Sequence, residues 1–272
     1  IYQPIILSCK KGLHTYKVFE NLSETTHELL IFRRTETGEG PTEFKGLILD
    51  NGKKLLPPKP KPQLKIEFYG DSITSGMGNE DESRKDNSNL ALKNNFLAYG
   101  AITARNLNAQ YHCISFSGIG IMKSWFPLTM PKAFDRLDPS DPNSKWDFSK
   151  WTPDAVVINL FQNDSWKIKE LNPIPNDSQR IQAYVDFVLS IRDKYPKAHI
   201  FCVLGNMDAT RNNSPWPSYI KAAVNKLKSE YNDRKVYYHF FKYKNTPGHP
   251  TIAEQFEMAQ SLTEYIKKNL NW

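Results

Sequence analysis

The chain has 272 residues, 39% hydrophobic and 12% aromatic, enough apolar content to bury a large core in one or two domains. It carries 36 Lys and Arg against 29 Asp and Glu, a formal charge of +7. The lysines are dispersed along the chain, with no arginine-rich cluster and no nucleic-acid motif, which speaks for a solvated surface and against a nucleic-acid partner.

Taken in chain order, residues 1–56 alternate apolar and polar side chains at Thr15 to Phe19, His27 to Arg34 and Glu43 to Leu49, a period that predicts a small all-β domain. So short a segment is expected to be incomplete, its first strands lying before this chain, which opens on Ile1 rather than on Met. The same opening leaves room for a leader removed earlier. Residues 57–63 hold Pro57, Pro58, Pro60 and Pro62, a stiff joint that reads as a domain boundary. From residue 64 to 272 apolar strands at 64–69, 110–116, 154–160, 198–204 and 235–241 alternate with helical patterns. Ile181, Val185, Val188 and Ile191 mark one helix, Ile220, Val224, Leu227 and Tyr231 a second, and Ile252, Phe256, Leu262 and Ile266 a C-terminal one. This β-α repeat predicts an α/β domain with a mostly parallel five-stranded sheet, helices on both faces and right-handed crossovers. Residues 122–153, rich in Trp and Pro, interrupt the rhythm as a long insertion of the kind that shapes a site. No run of about eighteen apolar residues occurs, so no membrane-spanning helix is expected. Cys9, Cys113 and Cys202 are far apart and are expected to be buried free thiols.

The chemistry concentrates at strand ends. The run Leu64 to Tyr69 stops abruptly at Gly70-Asp71-Ser72-Ile73-Thr74 and breaks into Ser75-Gly76-Met77-Gly78, which presents Ser72 as a candidate nucleophile. Gly118 follows the second strand in Ser117-Gly118-Ile119-Gly120, Asn163 the third in Phe161-Gln162-Asn163-Asp164, and His249 the fifth in Thr246-Pro247-Gly248-His249-Pro250. In a parallel sheet these ends converge on one crevice. Acyl transfer needs a nucleophile, a base and fixed donors for the developing oxyanion, and Ser72, His249, Gly118 and Asn163 supply them. Asp71 and Asp164 are expected to brace their loops by accepting backbone N–H bonds. Trp125, Trp166 and Trp216 follow strand ends closely, where an exposed indole would stack on a sugar ring and a buried one would pack under a loop. His14, His27, His112, His199 and His239 stand alone and read as structural or surface groups. Gly118-Ile119-Gly120 is too short for a dinucleotide site, no phosphate-binding loop is present, and no cluster has metal-ligand spacing, so no cofactor and no metal are expected.

The order Gly-Asp-Ser, Gly, Asn-Asp and a C-terminal His resembles the SGNH (GDSL-type) hydrolase superfamily over residues 64–272. Within it, residues 66–80, residues 248–254 and the joint Asp50 to Pro58 are similar to the two-domain acetyl esterases of carbohydrate esterase family 2. The resemblance implies a jelly-roll-like β domain joined to a three-layer, flavodoxin-like catalytic domain that removes O-acetyl groups from polysaccharides outside the cytoplasm, in the periplasm or cell exterior. It implies Ser72 as nucleophile, His249 as base, and the Ser72 and Gly118 N–H groups with the Asn163 side chain as oxyanion hole. Two positions depart from the superfamily pattern. Phe161 stands where a Gly is usual, so that either the backbone differs there or the ring narrows the site. Thr246 stands where an Asp usually orients the His, which leaves a Ser-His dyad steadied by a backbone carbonyl or by the Thr246 hydroxyl. A lipid or thioester hydrolase of the same superfamily is the alternative among enzymes, and a carbohydrate-binding protein with a decayed site is the alternative outside them. The sugar, the acetylated position and the oligomeric state are not written in the sequence.

Overall fold

The computed structural model describes residues 4–85 and 89–272. Five parallel strands form its one sheet among the described residues: β1 (Leu64–Gly70), β2 (Ala109–Ser115), β3 (Ala155–Asn159), β4 (His199–Leu204) and β5 (Val236–Phe240), in the order β2-β1-β3-β4-β5. Each strand is within one residue of its expected bounds at either end. The three central strands are buried on both faces over most of their length, and β3 and β4 in particular read as apolar runs, which is why they were legible. In this strand order the chain reverses its direction of winding between β1 and β3, so the two connections leave a crevice at the carboxyl ends of those strands.

Seven α-helices flank the sheet among the described residues: α1 (Ser72–Ser75), α2 (Tyr99–Asn106), α3 (Met130–Ala133), α4 (Gln162–Lys167), α5 (Asp177–Lys194), α6 (Trp216–Glu230) and α7 (Ile252–Leu270). Val156, Ile158, Ile200 and Cys202 pack with Val185, Val188 and Ile191 of α5 and Ile220, Val224 and Leu227 of α6. The alternate residues Val157, Phe201 and Val203 pack on the other face with Ile102 of α2 and Leu262 and Ile266 of α7. The period-two alternation of a strand thus divides the core into two layers, one per face. Capping boxes at Asn176/Gln179 and Thr251/Glu254 start α5 and α7.

Several expectations are corrected. Phe256 and Tyr231 are exposed: Tyr231 lies past the end of α6, and the buried stripe of α7 runs through Gln255, Met258, Ala259, Leu262 and Ile266. A polar Gln255 on that stripe is tolerated because it is bonded, accepting from the Tyr99 N–H at 2.8 Å and donating to the Ile73 carbonyl at 3.1 Å. Residues 4–63 form no strand and only one 3-10 turn, Thr37–Glu39. A strand needs a partner edge to satisfy its N–H and C=O groups; the alternating segments have none among the described residues, and Leu30, Ile31 and Ile48 stay exposed. Cys9, in this region, is exposed for the same reason, whereas Cys113 on β2 is half-buried and Cys202 on β4 is buried. Most of the insertion covers the β2 side of the sheet: Phe134 packs against Tyr69, Phe148 against Tyr195, and Trp151 stacks on His112 at 3.7 Å.

Candidate active site

Ser72 opens α1 directly beyond β1. The Asp71 carboxylate accepts from the Ile73 N–H at 3.0 Å, Ser75 N–H bonds the Asp71 carbonyl at 2.9 Å, and Gly76, at φ +78°, closes the short helix by donating to the Ser72 carbonyl at 3.1 Å. Gly70 must be glycine, since a Cβ there would meet Thr74 Oγ1 at 1.9 Å. This tight elbow holds Ser72 almost wholly buried with its hydroxyl in the crevice, 2.8 Å from His249 Nε2. Asp71 is fully buried, and burial pushes its carboxyl up to about 7, against the Ile73 N–H and the nearby His249 imidazole, which favour the anion.

The loop after β2 carries Gly118 at φ +86°, a left-handed conformation that favours glycine. Its shape is set from below by Asp164, whose carboxylate accepts from the N–H groups of Ile121, Met122 and Lys123 at 2.7 to 3.0 Å. Burial raises the Asp164 carboxyl in spite of those donors. Both aspartates therefore brace loops, as their positions suggested. Among the described residues, neither the Ser72 nor the Gly118 N–H has a protein acceptor. Asn163, in the first turn of α4, donates through Nδ2 to the Ile119 carbonyl at 2.9 Å, while its second contact, to Asp71 Oδ2, is long at 3.3 Å. One of its N–H groups is fixed and the other is weakly engaged beside Ser72.

Phe161 resolves the first departure in neither of the two anticipated ways. Its backbone adopts φ +92°, the glycine-like conformation, and its ring does not narrow the site: it is 0% exposed, set between Tyr184 at 4.9 Å and Trp216 at 5.1 Å in the core. At the second departure, Thr246 donates to Glu254 Oε1 at 2.6 Å and accepts from Lys244 Nζ at 2.8 Å. Lys244 also donates to the Thr246 and Pro247 carbonyls, and Glu254 Oε2 accepts from the Thr251 N–H at 2.8 Å. This network holds the turn that delivers His249, and the Asn79 carbonyl, accepting from Ile252 N–H at 3.0 Å, ties it to the loop beyond α1. The T-x-x-E spacing from Thr251 to Glu254 was the readable signal for it.

Trp125 and Trp166 are 59% and 38% exposed and meet edge to face at 6.5 Å. Trp125 Nε1 donates to Asn163 Oδ1 at 3.0 Å, and Trp166 Nε1 to Asp208 Oδ2 at 3.1 Å, so both indoles are pinned, and Lys167 Nζ lies over the Trp125 ring, 4.3 Å from its centroid. Trp216 is a core residue instead, 6% exposed, because its position at the start of α6 turns it under Phe161 and Tyr219. A cavity of about 360 Å³ lies elsewhere, between β2 and the insertion, floored by Glu67 and walled by Tyr69, His112 and Trp146; neither Ser72 nor His249 lines it. Among the described residues no group of three or more His, Cys, Asp or Glu could hold a metal ion, and no helix is long and apolar enough to cross a membrane.

Comparison with known proteins agrees with this fold. Residues 2–59 match the family model described as Carbohydrate esterase 2 N-terminal, and residues 68–257 that of the GDSL-like Lipase/Acylhydrolase family. The chain is 37% identical over 266 residues to the cellulase/esterase CelE of Acetivibrio thermocellus, covering 95% of this chain but only 32% of CelE, about a third of its length. It is 27% identical over 280 residues to an acetylxylan esterase / glucomannan deacetylase of Cellvibrio japonicus, covering 100% of this chain and 75% of that protein. The solved structure of a family two carbohydrate esterase from Clostridium thermocellum in complex with cellohexaose superposes with a TM-score of 0.72 at 36% identity, covering 80% of this chain and 68% of the other.

Proposed function

The chain belongs to the GDSL-like lipase/acylhydrolase family and, within it, to the family 2 carbohydrate esterases, and from that membership we propose that it removes O-acetyl groups from polysaccharide or oligosaccharide with a Ser72–His249 dyad. The observation that carries the proposal is the 2.8 Å bond from the Ser72 hydroxyl to His249 Nε2, beside the Ser72 and Gly118 N–H groups, which have no protein acceptor among the described residues. Ser72 Oγ attacks the acetyl carbonyl carbon while its proton passes to His249 Nε2. The carbonyl oxygen becomes an anion that the Ser72 and Gly118 N–H groups and the weakly engaged Asn163 N–H receive. As the tetrahedral species collapses, the bond to the sugar oxygen breaks and His249 returns the proton to that oxygen. Water then attacks the acetyl-serine, His249 takes its proton, and acetate leaves with the Ser72 hydroxyl restored.

Both features that favoured a non-catalytic binding protein are absorbed: Phe161 keeps the glycine-like backbone, and Thr246 joins a network with Lys244 and Glu254. The partly exposed, pinned indoles of Trp125, bonded to Asn163, and Trp166, bonded to Asp208, suit stacking on sugar rings more than holding a long acyl chain, which favours acetylated carbohydrate over lipid. A polymeric substrate implies action outside the cytoplasm, and we set the boundary between an N-terminal module and the catalytic domain in the proline-rich joint at 57–63. The test is acetate release from acetylated polysaccharides and from a chromogenic acetyl ester, comparing the parent with Ser72→Ala and His249→Ala. Parent activity that both substitutions abolish supports the reading; equal rates in parent and variants refute it.

A further inference from the structure

Glu36 belongs to the N-terminal segment, which carries no catalytic motif, yet it is one of the most buried carboxylates in the protein at 8% exposed. Its Oε2 accepts from the Ser117 backbone N–H at 2.6 Å and its Oε1 from the Ser117 hydroxyl at 2.5 Å. Ser117 is the residue before Gly118. The Gly118 N–H sits on the peptide unit whose carbonyl is that of Ser117, so the Ser117 ψ angle decides where this donor aims. Fixing Ser117 through both its N–H and its hydroxyl removes the freedom to swing the donor away. The segment itself is firmly docked: the Arg34 carbonyl accepts from the Asn95 N–H at 3.0 Å, Arg34 donates to the Lys93 carbonyl at 2.8 Å and pairs with Glu80, and Phe32 meets Phe96 edge to face at 5.1 Å.

A bare carboxylate this close to an oxyanion hole would oppose the charge that develops there. Lys93 answers this, its Nζ 3.1 Å from Glu36 Oε1 and paired with Glu39 as well, with a side chain only 12% exposed. Resting on the esterase reading above, we propose that Glu36 is a positioning residue for the Gly118 oxyanion donor, its charge offset by the ion pair with Lys93, so that the N-terminal module completes the catalytic centre of the neighbouring domain.

The experiment compares the full chain with its Glu36→Ala, Glu36→Gln and Ser117→Ala variants. It measures kcat and KM on the chromogenic acetyl ester, and affinity for methylboronic acid, whose tetrahedral adduct on Ser72 puts an oxygen in the hole. It also measures affinity for a deacetylated oligosaccharide. Deleting an oxyanion donor outright lowers kcat by about 10²–10³; misaiming one is expected to lower it about tenfold in Glu36→Ala, with KM within about twofold. Boronate affinity falls in step, while oligosaccharide affinity stays at the parent value. Glu36→Gln, which keeps an acceptor for the Ser117 N–H, recovers part of the loss. Ser117→Ala removes only the hydroxyl bond and gives a smaller loss of kcat, which keeps the test decisive should Glu36→Ala fail to fold. Parent-like kcat in Glu36→Ala, or in Ser117→Ala where that is the folded variant, overturns the proposal and leaves the esterase reading standing. Equal losses in boronate and oligosaccharide affinity also overturn it, by showing a merely structural role. A parent that turns over no faster than Ser72→Ala removes the esterase reading, and the proposal with it.

Discussion

Phe161 offers a direct test of why a bulky residue can hold a glycine position. At φ +92° and ψ −7° its backbone is left-handed, which costs an L residue about 1–2 kcal/mol. The ring offsets that strain by packing, wholly buried, against Tyr184 and Trp216; truncating a buried Phe to Ala ordinarily costs about 3–5 kcal/mol. Phe161→Ala keeps the strain and loses the packing, so it should show that full destabilisation. Phe161→Gly loses the same packing but relieves the strain, and the extra freedom of glycine in the unfolded chain takes back about 0.5–1 kcal/mol. The Gly variant is therefore expected to be more stable than the Ala variant by about 0.5–1 kcal/mol, the reverse of the usual order. Urea unfolding followed by tryptophan fluorescence gives both values. An Ala variant as stable as the Gly variant, or more so, would refute the claim that the fold stores strain here. Both variants should keep the parent kcat well below their unfolding midpoints, because Asn163 is held by Ile119 and Trp125 rather than by the ring.

The other predictions concern groups around the dyad. Trp125→Phe keeps an aromatic face but removes the N–H that Asn163 Oδ1 accepts; kcat should fall several-fold with KM for an acetylated oligosaccharide near the parent value, whereas Trp125→Ala should also raise KM. Thr246→Val keeps the shape but removes one hydrogen bond from Lys244 and one from Glu254, each worth about 1–3 kcal/mol in this largely buried network; the unfolding midpoint and kcat should fall together as the His249 turn loosens, and an unchanged kcat would separate that network from the imidazole. Asp71 titrates at about 7 when folded against an ordinary value of 3.8, so the folded state binds the extra proton between these limits and stability should fall as pH rises from about 4 to about 7. Asp71→Asn, which still accepts the Ile73 N–H, should gain on the parent progressively across that window in urea unfolding, and parallel curves would sink the assignment.

What the sequence made legible follows from how much of each signal is local. The strands could be bounded because each is a short run dominated by apolar residues and ended by turn residues, and Ser72, Gly118, Asn163 and His249 could be proposed because each lies in a segment beyond the carboxyl end of such a run. Burial of particular side chains was less legible, since it depends on partners distant in sequence. Nothing near Trp216 says that Phe161, 55 residues earlier, will cover its ring, and Gln255 looks like a solvent residue until Tyr99 and Ile73 supply its bonds. The N-terminal alternation announces a capacity for pairing and says nothing of whether an edge is present: residues 2–59 match the Carbohydrate esterase 2 N-terminal model, yet residues 4–63 form no strand. Glu36 had no signal at all, because an isolated Glu in an irregular segment becomes informative only when Ser117 is seen against it.

A single arrangement underlies the proposed site: the loops that bear the proposed catalytic groups are held by carboxylates to which the proposed mechanism gives no chemical step. Asp71 caps the Ser72 elbow, Asp164 gathers the N–H groups of residues 121–123, Glu36 holds Ser117, and Glu254 holds Thr246 and Thr251. A carboxylate suits this task because it accepts several N–H or O–H bonds at once, each stronger than a bond to a neutral acceptor. Its drawback is charge, since four anions around a hole built to stabilise a fifth would raise the barrier that the hole exists to lower. Each one is answered locally. Burial keeps Asp71 largely protonated below about pH 7 and raises Asp164, whose charge is shared among three backbone donors, while Lys93 pairs with Glu36 and Lys244 Nζ lies 3.9 Å from Glu254. Rigidity and electrostatics are thus obtained from the same residues, and the lysines paired with Glu36 and Glu254 extend the proposed site beyond the groups that would touch substrate.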